Sequence, residues 1–440
     1  MGATSPIQVL MQASLVLVCM TALAAPARKP VVPKQAQDAL TGFEVELTHP
    51  LGADKDAQLR KLADRFNAQS QGGKVVVSMR PWGQGSLPAM AIVPELDEDL
   101  YLDGSARFKP LWRVMKDAGI PLNVGSFSRV MVPSALDSTR RLNALPVALS
   151  SPVVFYNKEL LEKLGVTSAE IPRTWRSWVE VLGRFYTEGV ACPMTASQPV
   201  STIFENAAVW NNQPLIVAGR AEQYQGNGLV HVKHMAMMSS WRKSGYFYYF
   251  GRGSEAEEHF ASGECGVLIA PSGAFPSLAR QAAFTVAVAP YPYHEDAHGA
   301  PLHTVADGPS LWVSNNRTSG EYKVVARFIQ FWLETENQID WQVSAGYLPL
   351  SRAGVLVATE SSLLKDDLVA TRQALSQLSN KPATAGTTAS SFMHRLGVRR
   401  ILAEEIEQVF DDKKPPKQGL DDAAQRIRSA EDGCCRPRQP

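Results

Sequence analysis

The chain has 440 residues, enough for two domains with substantial cores. Lys and Arg number 44 against 43 Asp and Glu, a net charge of +1, so no global field draws it to nucleic acid or to an anionic membrane surface. With 20% charged and 45% apolar residues it sits among ordinary globular proteins, outside the disordered and fibrous classes.

The first segment stands apart. The apolar run Leu15-Val-Leu-Val-Cys-Met20 closes on Ala22-Leu23-Ala24, too short to span a bilayer and followed by small residues. That pattern predicts a secretory signal over 1–24, although residues 1–8 carry no Lys or Arg; a membrane anchor is the alternative. Residue 18, before Cys19, is Val, not the small residue of a lipoprotein signal. Residues 25–42 are rich in Pro, Ala and Lys and read as a flexible lead-in.

Phe43-Glu-Val-Glu-Leu47 alternates as a half-buried strand does, and Lys55 to Asn67 places Leu59, Leu62, Ala63 and Phe66 on one helical face. Lys74 to Met79 is the next strand, so a β-α-β order predicts a parallel layer. A Gly-rich turn runs from Trp82 to Ser86, an apolar stretch from Ala89 to Glu95, and an expected helix from Arg107 to Ala118 with Leu111, Trp112 and Met115 inward. The stretch Leu145 to Asn157 breaks at Ser150-Ser151-Pro152 and resumes as the strand Val153 to Tyr156. Proline fixes φ and removes a donor there, which predicts a crossing between two lobes with Ser150 facing a ligand cleft.

Beyond it, Thr174 is a candidate N-cap for a helix carrying Trp175, Trp178, Val181, Leu182 and Phe185. A strand follows at Cys192 to Ser197, a helix at Thr202 to Trp210, and a Met-rich helix at Val230 to Lys243. Strands Val267 to Ala270 and Phe284 to Ala289 flank a helix over Leu278 to Ala283, and Ser310 to Val313 is the second crossing. Helices Tyr322 to Leu333 and Val398 to Phe410 and a polar helix beyond Pro416 complete the chain, with no internal repeat. Cys192 and Cys265 can pair in an exported protein or remain buried thiols, and both readings stay open.

No GxSxG elbow, P-loop or HExxH occurs, and no metal or catalytic set emerges. His231 and His234 read as residues of a surface helix, His294 and His298 as a solvated loop, and Glu257-Glu258 as surface charge. Trp175 and Trp178 have core spacing. The run Tyr246-Phe-Tyr-Tyr-Phe250 is a strand or turn, with cleft lining as its functional alternative.

Pro146 to Lys158, Pro172-Arg-Thr-Trp175, Phe204-Glu-Asn206 with Trp210-Asn211, Ser310-Leu-Trp312 and Gly346-Tyr-Leu-Pro349 resemble the family 1 extracellular solute-binding proteins of ABC importers. Arg65-Phe-Asn-Ala68, Tyr248 to Arg252, Gly263-Glu-Cys265 and Arg395-Leu-Gly397 are similar to its glycerol-3-phosphate-binding subgroup, and the likeness covers about residues 43 to 430. The resemblance implies an α/β class II periplasmic binding fold, two lobes joined by a multi-crossing hinge. Lobe one is expected over 43–150 with 308–345, lobe two over 151–307 with 346–430, and a tail over 431–440. It implies a periplasmic role without chemistry: no enzyme, no cofactor, no metal, a monomer that delivers a phosphorylated polyol to an inner-membrane permease and its ATPase.

Residue by residue, the likeness puts ligand contacts on Glu95, Ser150, Gly308, Tyr347 and Arg395. An Arg fork and Ser or backbone donors suit phosphate oxygens, and a carboxylate suits hydroxyls. Trp82 stands where the subgroup has tyrosine, and Pro271 replaces a serine, leaving Ser272 as substitute. Gln198 to Ser201 replace a Trp pair, Asp307 replaces a glycine, Pro309 removes an amide, and a helix is largely deleted between Gly85 and Pro88. A carboxylate beside a phosphate dianion opposes binding unless it points away. A glycerophosphodiester or a neutral sugar is therefore the alternative ligand, and a secreted phosphoester hydrolase the alternative class.

Overall fold

The computed structural model describes residues 42–70, 72–82, 86–93, 107–123, 125, 127, 139, 141–217, 223–362, 366–384, 387, 393 and 397–435. The expected signal, the lead-in up to residue 41, Glu95 and Arg395 lie outside the described residues.

In chain order the first lobe begins with strand β1 (Glu44–His49), helix α1 (Gly52–Gln69), β2 (Lys74–Met79), β3 (Met90–Val93), α2 (Leu111–Asp117) and β4 (Leu145–Pro146). The second lobe follows with β5 (Pro152–Asn157), α3 (Lys158–Lys163), α4 (Trp175–Thr187), β6 (Cys192–Ala196), a π-helical turn (Val200–Glu205) and α5 (Asn206–Trp210). Next come the small pair β7 (Ile216–Val217) and β8 (Gln223–Tyr224), then α6 (Leu229–Lys243), β9 (Phe247–Tyr248), α7 (Glu255–Ala261), β10 (Cys265–Pro271), α8 (Phe275–Gln281) and β11 (Val286–Ala289). The chain continues through β12 (Ser310–Val313), α9 (Ser319–Trp332), α10 (Thr335–Ala345), α11 (Arg352–Glu360), α12 (Val369–Leu378), α13 (Val398–Phe410) and α14 (Pro416–Cys435).

Among the described residues two five-stranded sheets result, in the orders β2-β1-β3-β12-β4 and β11-β5-β10-β6-β9. In keeping with the β-α-β order, β1 runs parallel to both β2 and β3. The stretch Leu145 to Asn157 divides between the sheets: Leu145 and Pro146 pair with β12 in one, and Pro152 to Asn157 pair with β10 and β11 in the other. Between them, residues 147–151 are laced to the returning chain. Ser150 and Asp307 exchange both backbone bonds at 2.8 and 2.9 Å, and Val147 and Ala148 donate to the Pro309 carbonyl. A third passage is tied in by the Leu348 amide on the Leu149 carbonyl at 2.7 Å.

Helix starts follow their caps. Thr318 accepts from the Glu321 amide while Glu321 accepts from that of Thr318, and Thr174 with Ser177 forms a similar box. The helix expected from Arg107 begins only at Leu111, because Pro110 caps it and Lys109 donates to Val313 alongside the sheet. Trp112 is half-buried instead of inward, its ring flanked by the guanidinium groups of Arg113 and Arg141, and Val114 takes the core position. Thr202 to Trp210 is a π turn leading into a short helix, and the helix placed over 278–283 starts earlier, at Phe275.

Cys192 and Cys265 face each other across parallel β6 and β10 and form a disulfide closing 73 residues. Trp175 and Trp178 are fully buried, in line with their spacing. The histidines differ from expectation: His231, His234 and His294 are all buried. Helix α14 packs over α6, and the Trp175 ring stacks edge-on to His234, so this face is interior. His234 bonds to His294 at 3.0 Å and to the Ile203 carbonyl at 2.7 Å. Burial depresses all three, His231 and His294 to about 4 and His234 to about 3.

Candidate functional site

A cavity of about 630 Å³ opens between the two sheets. Its first wall is the start of α1, from Pro50 to Lys55. Its floor is the crossing chain, where Ala148, Ser150 and Pro309 surface, with Tyr347 of the third passage beside them. Its second wall comes from the other lobe: Gln198 to Ser201, Glu257 on α7, Pro271, Gly273 and Ala274, and Arg399 on α13.

Of the residues singled out from the sequence, Ser150 and Tyr347 line this cavity. Ser272 is fully buried just behind it, its hydroxyl accepting from the Ser151 amide. Gly308 also lies behind the floor, at φ 152°, where a Cβ would come within 2.0 Å of the Ala148 carbonyl oxygen. Trp82 is elsewhere: it packs on Phe108 and under the Arg107 guanidinium and does not reach the cavity. Gln198 to Ser201, where the subgroup carries a Trp pair, contribute small and polar surface to the wall.

Several charged groups at this cavity are not among the residues singled out from the sequence. Lys55 is buried at 8% exposure; its ammonium donates to the Ala345 carbonyl at 2.5 Å and stands 5.2 Å from the Tyr347 ring centre. Desolvation lowers it to about 8. Glu257, expected on the surface, instead lines the opposite wall and accepts from the Ser197 hydroxyl at 3.0 Å. Burial raises its carboxyl to about 7 against the opposing pull of that hydrogen bond and of Lys55. Arg399 holds Glu205 in a two-pronged bond, 2.8 Å on each arm, and its Nη2 also reaches Asp307. At the rim, Arg252 and Tyr249 both bond Glu407, and Asp54 of α1 pairs with Arg280 of α8 at 2.6 Å across the mouth.

Two of these positions are legible in principle. Lys55 precedes Leu59, Leu62 and Phe66 on the inward face of α1, and Arg399 shares a face with Leu402, Ala403 and Ile406. A cation on an apolar helix face signals a buried partner or a site. Glu257 offers no such signal in its acidic run. No group of three or more His, Cys, Asp or Glu able to hold a metal occurs among the described residues, and no helix among them is long and apolar enough to cross a membrane.

Two α/β lobes, three chain passages between them and a cavity at their junction with several charged and hydroxyl groups in its lining define a two-lobed solute receptor. The chain matches the model of the bacterial extracellular solute-binding proteins over residues 60–365 and belongs to that family. It is 30% identical to the sn-glycerol-3-phosphate-binding periplasmic protein UgpB of Pectobacterium atrosepticum, across 88% of this chain and 91% of that one. Among solved structures it is similar in fold to UgpB of Mycobacterium tuberculosis in complex with glycerophosphocholine (TM-score 0.71, 17% identity, 89% of this chain and 99% of that one). It is similar also to a maltose-bound receptor of T. maritima (TM-score 0.69, 16% identity, 88% and 100%). The family binds solutes and is not one of enzymes, so the hydrolase alternative falls.

Proposed function

We propose that the protein is the periplasmic substrate-binding subunit of an ABC importer, capturing a phosphorylated polyol of the glycerol-3-phosphate type between its lobes. It would act as a monomer, pass its ligand to a membrane permease coupled to an ATPase, and use neither nucleic acid nor cofactor. The observation that carries this reading is the interlobe cavity of about 630 Å³, floored by Ser150 and Tyr347 and flanked by the cations Lys55 and Arg399. That volume suits a ligand of polyol or small-ester size. The similarity to the glycerol-3-phosphate-binding relatives supports the ligand class.

Within this reading the Ser150 hydroxyl and Tyr347 contact the ligand directly, and Lys55 faces its anionic group. Gly308 and Ser272 shape the floor from behind. Glu95 and Arg395 are assigned to hydroxyl and phosphate recognition by the family likeness, and Trp82 to a supporting place in lobe one. Lobe closure by hinge motion about the three passages retains the ligand. The second reading, a glycerophosphodiester or a neutral sugar, is favoured by one feature: the Arg399 guanidinium is already engaged by two carboxylates.

A thermal-shift screen of the purified protein tests both readings, because a ligand of the native state raises its melting temperature by mass action. Millimolar sn-glycerol-3-phosphate is expected to raise it, and Arg395→Ala to abolish the effect, with roughly 2–5 kcal/mol of binding lost if the guanidinium pairs with phosphate out of water. A shift with a neutral sugar and none with any phosphoester refutes the phosphorylated-ligand reading.

A further inference from the structure

Two charged side chains face the cavity from opposite lobes with bonding capacity left over. Lys55, near the start of α1 in lobe one, is buried at 8% exposure and lines the wall there. Of the three N–H donors of its ammonium, one goes to the Ala345 carbonyl at 2.5 Å. Glu257, on α7 in lobe two, stays partly open to the cavity and accepts from the Ser197 hydroxyl at 3.0 Å. A carboxylate has room for several such bonds. Among the described residues Lys55 has no carboxylate at ion-pair distance, and Glu257 has no cation. Neither falls within the motifs that carry the family resemblance.

The charges around them are engaged elsewhere. Asp54, next to Lys55, pairs with Arg280 and accepts from the Ser277 hydroxyl. Glu255 accepts from the Gly253 amide, Glu258 is exposed, and Arg252 is held by Glu407. Lobe one therefore offers spare cationic donors to the cavity, and lobe two a spare anionic acceptor. Both groups have given up water without full replacement, and an unsatisfied polar group out of water is costly.

We propose that Lys55 and Glu257 are specificity-determining residues that read opposite ends of one ligand, Lys55 taking an oxygen of its anionic group and Glu257 accepting from its hydroxyls. The ligand class is a polyol that carries an anionic group, with free hydroxyls reaching one wall while the charge reaches the other. A ligand without hydroxyls leaves Glu257 shut away from water with no donor to accept from. A ligand without charge leaves Lys55 in the same position. This inference rests on the reading of the chain as a receptor for a phosphorylated polyol.

The test is isothermal titration at pH 7.5 with two probes: sn-glycerol-3-phosphate, which has both features, and n-propyl phosphate, which has the charge and no hydroxyl. The wild-type protein is expected to bind the first more tightly. Glu257→Ala should weaken glycerol-3-phosphate roughly ten- to hundredfold, the worth of a hydrogen bond to a charged group, and leave propyl phosphate within about threefold. Glu257→Gln keeps the shape and a neutral acceptor; it should shrink the discrimination in the same direction by a smaller factor, and it serves if the Ala variant folds poorly. Lys55→Met should weaken both probes roughly tenfold or more and leave their ratio within about twofold. Lys55→Gln, which keeps a donor for the Ala345 carbonyl, replaces it if the Met variant folds poorly. A ratio within about twofold of wild type in both Glu257 variants overturns the role of Glu257, and unchanged affinities in both Lys55 variants overturn that of Lys55. Either result leaves the receptor reading intact. Binding of neither probe by the wild-type protein overturns the phosphorylated-polyol reading and this inference together.

Discussion

Replacing Glu257 by Gln should stabilise the protein above neutral pH and leave it unchanged in acid. In the folded chain this carboxyl is raised from 4.5 to about 7, chiefly because burial at the cavity wall disfavours its charged form. The folded state thus binds a proton more tightly than the unfolded chain between those values, and stability is lost as pH climbs from 4.5 to about 7. At about 1.4 kcal/mol per pH unit, a rise from 4.5 to about 7 corresponds to about 3 kcal/mol, an upper bound because Glu257 retains some contact with water. Glutamine keeps the hydrogen bond from Ser197 and carries no charge, so the difference between variant and wild type should rise from near zero at pH 4.5 to about 2–3 kcal/mol at pH 8. Urea unfolding at half-unit intervals of pH measures it, and taking the difference cancels every other titrating group. Parallel curves, offset by a constant, would show that Glu257 is ionised and solvated in the folded protein and would remove it from the cavity wall.

The three buried histidines act in the opposite sense. Each is depressed below 6.5, so each costs about 1.4 kcal/mol per pH unit as pH falls from 6.5 to about 4 (to about 3 for His234), and replacing His231, which makes no hydrogen bond, by Phe should flatten the acid limb of the stability curve by one proton. Reducing the Cys192–Cys265 bridge, or replacing both residues by Ser, should lower stability by about 4 kcal/mol on the chain-entropy model for a loop of 73 residues, read as a drop in urea midpoint with an unchanged ligand profile. Asp54→Ala should loosen the mouth of the cleft: its pair with Arg280 is half-exposed and worth roughly 0.2–1 kcal/mol, so ligand affinity should weaken by no more than about fivefold, and unchanged affinity and X-ray scattering would rule out a closing role.

What the sequence discloses is local. The crossing at Leu145 to Asn157 is readable because Pro152 interrupts an apolar run, and proline has few places in a sheet other than its edges and ends. The helix starting at Trp175 is readable from Thr174, whose side chain acts within one turn, whereas the helix expected from Tyr322 starts at Ser319, one turn earlier, on its Thr318 cap. The start of α2 is not, because the strand contact that holds Lys109 comes from Val313, far along the chain. The histidines escape for a related reason: with Lys233 and Lys243 interspersed, α6 has no clean polar face, and only its packing beneath α14 makes His231 and His234 interior. The site is the least legible part. Ser150 and Tyr347 sit in recognisable motifs, but Lys55, Glu257 and Arg399 acquire their meaning from a cavity that three distant segments build together.

On the proposed reading, that cavity has an electrostatic logic that links recognition to closure. Lys55 belongs to the first lobe and Glu257 to the second, and both are displaced toward their neutral forms, to about 8 and about 7. Each therefore loses more from leaving water than it regains from its neighbours, even though the two attract one another. Bringing the lobes together around these groups is unfavourable unless something replaces the lost hydration. A ligand with an anionic oxygen for Lys55 and a hydroxyl for Glu257 does so, and does it only when both walls are in reach. Such a ligand binds the closed arrangement in preference to the open one, which is the differential affinity that any ligand-driven closure requires. It follows that Glu257→Gln, which lowers the cost of closing, should raise the closed population without ligand and weaken the dependence of closure on the ligand's hydroxyl groups.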